Sequence, residues 1–84
     1  MEGKIRILGI LISDRVKEAG KVQQLLTKFG CSIKTRLGLH EVSNEHCSVS
    51  GLMILELTGE ESEKDKLEQE LKKIDGIKIQ KMLF

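Results

Sequence analysis

The sequence predicts an α+β sandwich of six elements in the order β-α-β-β-α-β. Three observations carry this. Short apolar or alternating stretches, of strand length, occupy residues 4–13, 32–40, 51–57 and 77–84. Two longer segments between them repeat apolar residues at helical spacing. Glycines at 30 and 76 follow the last turns of those segments. This order is the ferredoxin-like split unit, in which a four-stranded antiparallel sheet carries two helices on one face.

The first strand, KIRILGILIS, is rich in Ile and Leu and too short for a typical helix. Asp14 stands where it can cap the following helix, with Glu18 near the positive end of the dipole. Val16, Ala19, Val22, Leu25, Leu26 and Phe29 then form one apolar stripe. In the second strand Ile33, Thr35, Leu37 and Leu39 share one face, and Lys34, Arg36, Gly38 and His40 the other. The third strand is GLMILEL. Thr58-Gly59-Glu60-Glu61 fits a capping box for the second helix. Leu67, Leu71 and Ile74 form its narrow stripe, with Glu60/Lys64 and Glu68/Lys72 as i,i+4 pairs. Glu60, Glu61, Glu63 and Asp65 read as a solvated helix start matched to the dipole.

Helices can cover only one face of such a sheet, yet the strands are apolar on both. Ile5, Ile7 and Leu11 oppose Leu8, Ile10 and Ile12; Leu52 and Ile54 oppose Met53, Leu55 and Leu57; Met82 and Phe84 oppose Ile77 and Ile79. The uncovered face predicts association of copies, face to face or edge to edge. A chain of 84 residues also builds only a modest core, which association would enlarge.

Composition narrows the function classes. The chain is one domain, residues 1–84, with 39% apolar and 32% charged residues, and no proline, Tyr or Trp. A net charge of +1 and two aromatic residues argue against direct nucleic-acid binding. No leader peptide or membrane span is expected, so the expected location is the cytoplasm, with Cys31 and Cys47 as free thiols. There is no Ser-His-Asp order with elbow glycines and no Gly-rich phosphate loop, so no enzymatic activity is expected.

Two candidate sites emerge. His40, His46 and Cys47 lie in and beside the loop after the second strand, and such ligands suit a transition metal. Their spacing lacks a metal signature, and a polar hairpin loop with exposed histidines and a partly buried thiol is the better account of them. The second site lies between subunits. Arg36, Gly38 and His40 share a strand face; Gly38 would let a ligand approach the backbone, and Arg36 would bind a carboxylate or phosphate. The plainer alternative is a solvated Arg36 and a bulge at Gly38.

Asp14-Arg15, Lys21, Val22, Leu25-Leu26, Gly30 and Ile33 resemble the first helix region of ACT regulatory domains. That resemblance places Asp14 and Arg15 where such domains contact effectors. Val16 and Lys17 stand where amino-acid-binding members carry a Pro-Gly-like pair. The runs RVKEAGKVQQLLTKFG, IKTRLGLHE, GLMILELTG and IDGIKIQKMLF resemble the iron-only hydrogenase system regulators. This second resemblance implies an ACT-like fold related to the ligand-sensing domain of nickel-responsive repressors. It also implies a homo-oligomer, dimer or tetramer, with a small-molecule effector and a regulatory role in the hydrogenase system. It does not carry over the repressors' metal ligands, because the paired His-x-His spacing is missing.

Overall fold

A computed structural model of the chain describes residues 5–12, 15–40 and 51–84, with the backbone alone described at 15–19 and 39–40. The elements are β1 (Arg6–Ile12), α1 (Arg15–Lys28), a single 3-10 turn (Gly30–Ser32), β2 (Ile33–His40), β3 (Gly51–Leu57), α2 (Glu61–Lys72) and β4 (Ile77–Leu83). The sheet order is β2-β3-β1-β4, antiparallel throughout. The two most apolar strands, β1 and β3, are therefore central, as the ferredoxin-like order requires.

Period-two alternation sorts the strand residues into two faces. Leu8, Ile10 and Ile12 of β1 and Leu55 and Leu57 of β3 are buried against the helices. Val22, Leu26 and Phe29 of α1 and Leu67 and Leu71 of α2 complete this core. Leu25, Ile33, Met53, Ile74, Ile77 and Ile79 pack around it. The helix-facing rows run Leu55, Leu8, Lys81 and Met53, Ile10, Ile79 across β3, β1 and β4.

The register of β2 differs from simple alternation. Ile33 stands opposite Leu57 and Thr35 opposite Glu56, leaving Lys34 as an extra residue in a bulge. The bulge turns Ile33 toward the core, away from the face it was expected to share with Thr35 and Leu37. Burial is the reason: without the extra residue Ile33 would lie on the uncovered side. The irregularity falls here and not at Gly38.

The helix ends differ in detail from expectation. The N-cap of α2 is Glu60, which makes no side-chain capping bond, so the Thr58–Glu61 capping box does not form. The Thr58 backbone N–H instead donates to the Ser32 carbonyl at 2.8 Å, tying the end of β3 to the 3-10 turn. Gly59, at φ 89°, supplies the left-handed turn into α2, and Gly76, at φ 86°, the turn into β4. Gly30 is not left-handed; α1 ends at Lys28 and the chain tightens into the 3-10 turn. The capping role of Asp14 falls outside the described residues.

Candidate functional site

The expected effector residues distribute along one edge of the sheet. His40 pairs with Gly51, which lies in register with Ile12 at the end of β1. The backbones of His40 and Ile12 are thus two strand spacings apart, about 10 Å. Arg15 opens α1 just beyond Ile12, so it enters at this same end of the sheet. Asp14 falls outside the described residues.

Gly38 and Arg36 lie farther along β2, opposite Met53 and Leu55, and both are exposed. Four residues of strand put Arg36 about 14 Å from the His40 backbone. The helix-facing side of β2 therefore offers a guanidinium and a bare backbone beyond the margin of the core. Among the described residues a Cβ built on Gly38 would meet nothing within 4 Å, so a ligand can approach there without displacing them. Such a shelf can hold a carboxylate or phosphate on Arg36 against Gly38.

The metal reading rests on residues outside this frame. His46 and Cys47 lie outside the described residues. Among the described residues no group of three or more His, Cys, Asp or Glu side chains is arranged to hold a metal ion. Cys31 is exposed and carries a free thiol in the 3-10 turn.

On the opposite side, the sheet is uncovered as the alternation predicted. Ile5, Leu11, Leu37, Leu52, Met82 and Phe84 are 39–65% exposed. With about 200 Å² available to each large side chain, roughly 600 Å² of apolar surface is left in contact with water. That reaches the upper end of what a single chain ordinarily exposes. Among the described residues of this face, charge is confined to Glu56 and Lys78 and to Lys34 at the bulge. Glu56 accepts a hydrogen bond from Thr35 at 3.0 Å and lies 3.8 Å from Lys34.

One cluster was not anticipated. Arg6, the first β1 residue on the helix-facing side, is buried beneath α2. Its Nη1 lies 2.9 Å from Asp65 Oδ1 and 3.1 Å from Glu68 Oε1, and its Nη2 lies 2.9 Å from Glu61 Oε1. Buried Glu68 also receives Lys72 at 3.2 Å and Lys81 at 3.1 Å. Lys64, only 2% exposed, reaches Glu61 at 2.8 Å. The acids expected to form a solvated helix start thus include two partners of a buried arginine. Glu61, Asp65 and Glu68 recur at i, i+4 and i+7, so one face of α2 carries all three. Arg6 continues the inward period of Leu8, Ile10 and Ile12. Those two periodicities together are the signal that could have revealed the cluster.

The charges respond to this arrangement. Burial pushes the Arg6 value down, but the Asp65 hydrogen bond and the surrounding acids outweigh it and hold the guanidinium above its ordinary value. Burial likewise pushes Glu68 up, but hydrogen bonds from Lys81 and Lys72 bring its carboxyl below the ordinary range. The hydrogen bond from Lys64 is the main cause of the lowered value at Glu61. The Arg6 Nε is buried without a hydrogen-bond partner. The cluster ties α2 to the first strand of the sheet.

Among the described residues, no helix is long and apolar enough to cross a membrane. No protein-family model matches the chain, and no curated protein matches it significantly. Solved structures do. The uncharacterized protein TM1266 from Thermotoga maritima is similar at a TM-score of 0.80 and 25% identity, over 96% of each chain. A formyltetrahydrofolate deformylase from Pseudomonas putida KT2440 is similar at a TM-score of 0.59 and 9% identity; the match covers 95% of this chain and 29% of the deformylase. The second likeness concerns the fold alone. With the order β2-β3-β1-β4 and its two helices, the chain is an ACT-like, ferredoxin-like α+β domain.

Proposed function

We propose that this protein is a non-enzymatic regulatory module that works as a homo-oligomer, a dimer or tetramer, and binds a small effector between subunits. The observation that carries the reading is the uncovered apolar sheet face on an ACT-like fold. A chain that leaves roughly 600 Å² of apolar surface in water gains by burying it against another copy. Arg36, Gly38 and His40 belong to the helix-facing side of the edge strand β2, so they come to a subunit boundary where a further copy, as in a tetramer, meets that edge; there an anionic effector would find a guanidinium and an approachable backbone.

By resemblance, the setting is regulation of the iron-only hydrogenase system. Balanced charge and scarce aromatics favour a protein partner over nucleic acid as the next link. An effector that selects one subunit packing over another would transmit its presence through that packing.

Light scattering at micromolar concentration tests the oligomer; a clean monomer refutes the proposal. A thermal-shift screen of carboxylates, phosphates and nucleotides tests the effector, because a ligand selective for the native state raises its midpoint. The expected hit loses its shift in Arg36→Ala. A hit whose shift survives in that variant removes Arg36 from the site.

A further inference from the structure

We propose that Gly9 marks where a second copy of this chain makes close contact, so that association occurs face to face through the open side of the sheet. The inference rests on the oligomeric reading above and specifies its geometry. Gly9 lies in the middle of β1, a central strand, paired with Ile54 on one side and Gln80 on the other. Glycine weakens a strand interior relative to alanine. Among the described residues nothing offsets that cost.

Among the described residues the usual reasons for a strand glycine are absent. Among the described residues positive φ occurs only at Gly59 and Gly76. The register of β1 with both neighbours runs through Gly9 without a shift, so there is no bulge. A Cβ built on Gly9 would sit 3.9 Å from Ile54 Cδ1 and 4.0 Å from the Gln80 carbonyl oxygen, which is ordinary contact. The isolated chain would accommodate alanine. What remains is close approach from above the face.

The face itself favours a second copy as the occupant. Its roughly 600 Å² of apolar surface approaches the ~800 Å² that each partner contributes to a standard interface. Its charges are of both signs, Glu56 in the interior and Lys78 at the corner, so a like copy meets no uniform repulsion. It carries a hollow at Gly9 and a protruding Leu37 two strands away, about 10 Å along the same row. A surface that holds both knob and hollow can match itself about a two-fold axis. The edges are less suited: β4 carries Lys78 and β2 carries Arg36, which would oppose like charges in self-pairing.

Sedimentation equilibrium of wild type, Gly9→Ala and Gly9→Leu tests this, with urea unfolding of each below its dissociation constant. The expected result is association weakened by about tenfold or more in Gly9→Ala, and further in Gly9→Leu. The monomer's urea midpoint should hold or rise in Gly9→Ala. Wild type that associates with unchanged affinity in both variants overturns this inference alone, leaving the oligomeric reading standing. A Gly9→Ala monomer with a lower midpoint also overturns it, because the glycine would then serve the chain itself. A monomeric wild type overturns both proposals.

Discussion

Replacing Arg6 by methionine probes how much the buried ion cluster holds α2 to the sheet. Methionine keeps an apolar stem of similar reach and deletes the guanidinium. Glu61 and Asp65 are more than half exposed, so solvent screens their pairs with Arg6. The contact that counts is the 3.1 Å bond to Glu68, whose side chain is 6% exposed. A hydrogen bond involving charged groups contributes about 1.5–3 kcal/mol. Two features reduce the loss. Glu68 keeps Lys72 and Lys81, so its charge is not stranded, and the ~3–5 kcal/mol of a broken buried pair is not incurred in full. The unpartnered Nε also disappears, which returns part of its desolvation cost. The expected net loss is about 1–2 kcal/mol at pH 7, roughly 4–15 °C in midpoint for a domain of this size. Urea unfolding of wild type, Arg6→Met, Glu68→Gln and the double variant, at one protomer concentration, measures the loss and the Arg6–Glu68 coupling. No loss in Arg6→Met, or no coupling with Glu68, would refute the reasoning. So would a loss above about 4 kcal/mol, since Lys72 and Lys81 would then be failing to support Glu68.

The folded-state value of Glu68 lies below its ordinary 4.5, so the unfolded chain binds protons more readily. The contribution is fully present above about pH 4.5 and is lost as pH falls through the folded-state value; Glu61 and Glu70 act in the same direction. Urea midpoints at pH 7 and pH 3 should differ less in Glu68→Gln than in wild type. Gly59→Ala, forced to φ 89°, should cost about 1–2 kcal/mol by thermal denaturation. Gly38→Ala, with open space and no positive φ, should leave that midpoint unchanged or higher. Leu55→Ala, at a fully buried position in the core, should cost about 2–5 kcal/mol in the same assay.

The order of elements was legible because the periods that encode it are local. Leu8, Ile10 and Ile12 alternate with Ile7, Gly9 and Leu11 wherever the strand ends up, and Val22, Leu26 and Phe29 share a helical stripe before any partner is found. The two-sided apolarity of β1 and β3 was legible for the same reason, and the exposed face follows from it. The candidate effector residues were legible as types on one strand. Their separation was not, because it depends on how β2 pairs with β3 and how β3 pairs with β1.

By itself, the sequence determined which residues can form strands and helices, and that two helices leave one side of four apolar strands bare. Only the tertiary structure decided where Ile33 points, since the bulge at Lys34 exists only in the pairing of β2 with β3. Only it joined Arg6 to Glu68, sixty-two residues apart in sequence, because such a pair has no local period to announce it. And only it isolated Gly9 on an open sheet with no constraint of its own, because room for a Cβ is a property of neighbours that the chain brings together from three different strands.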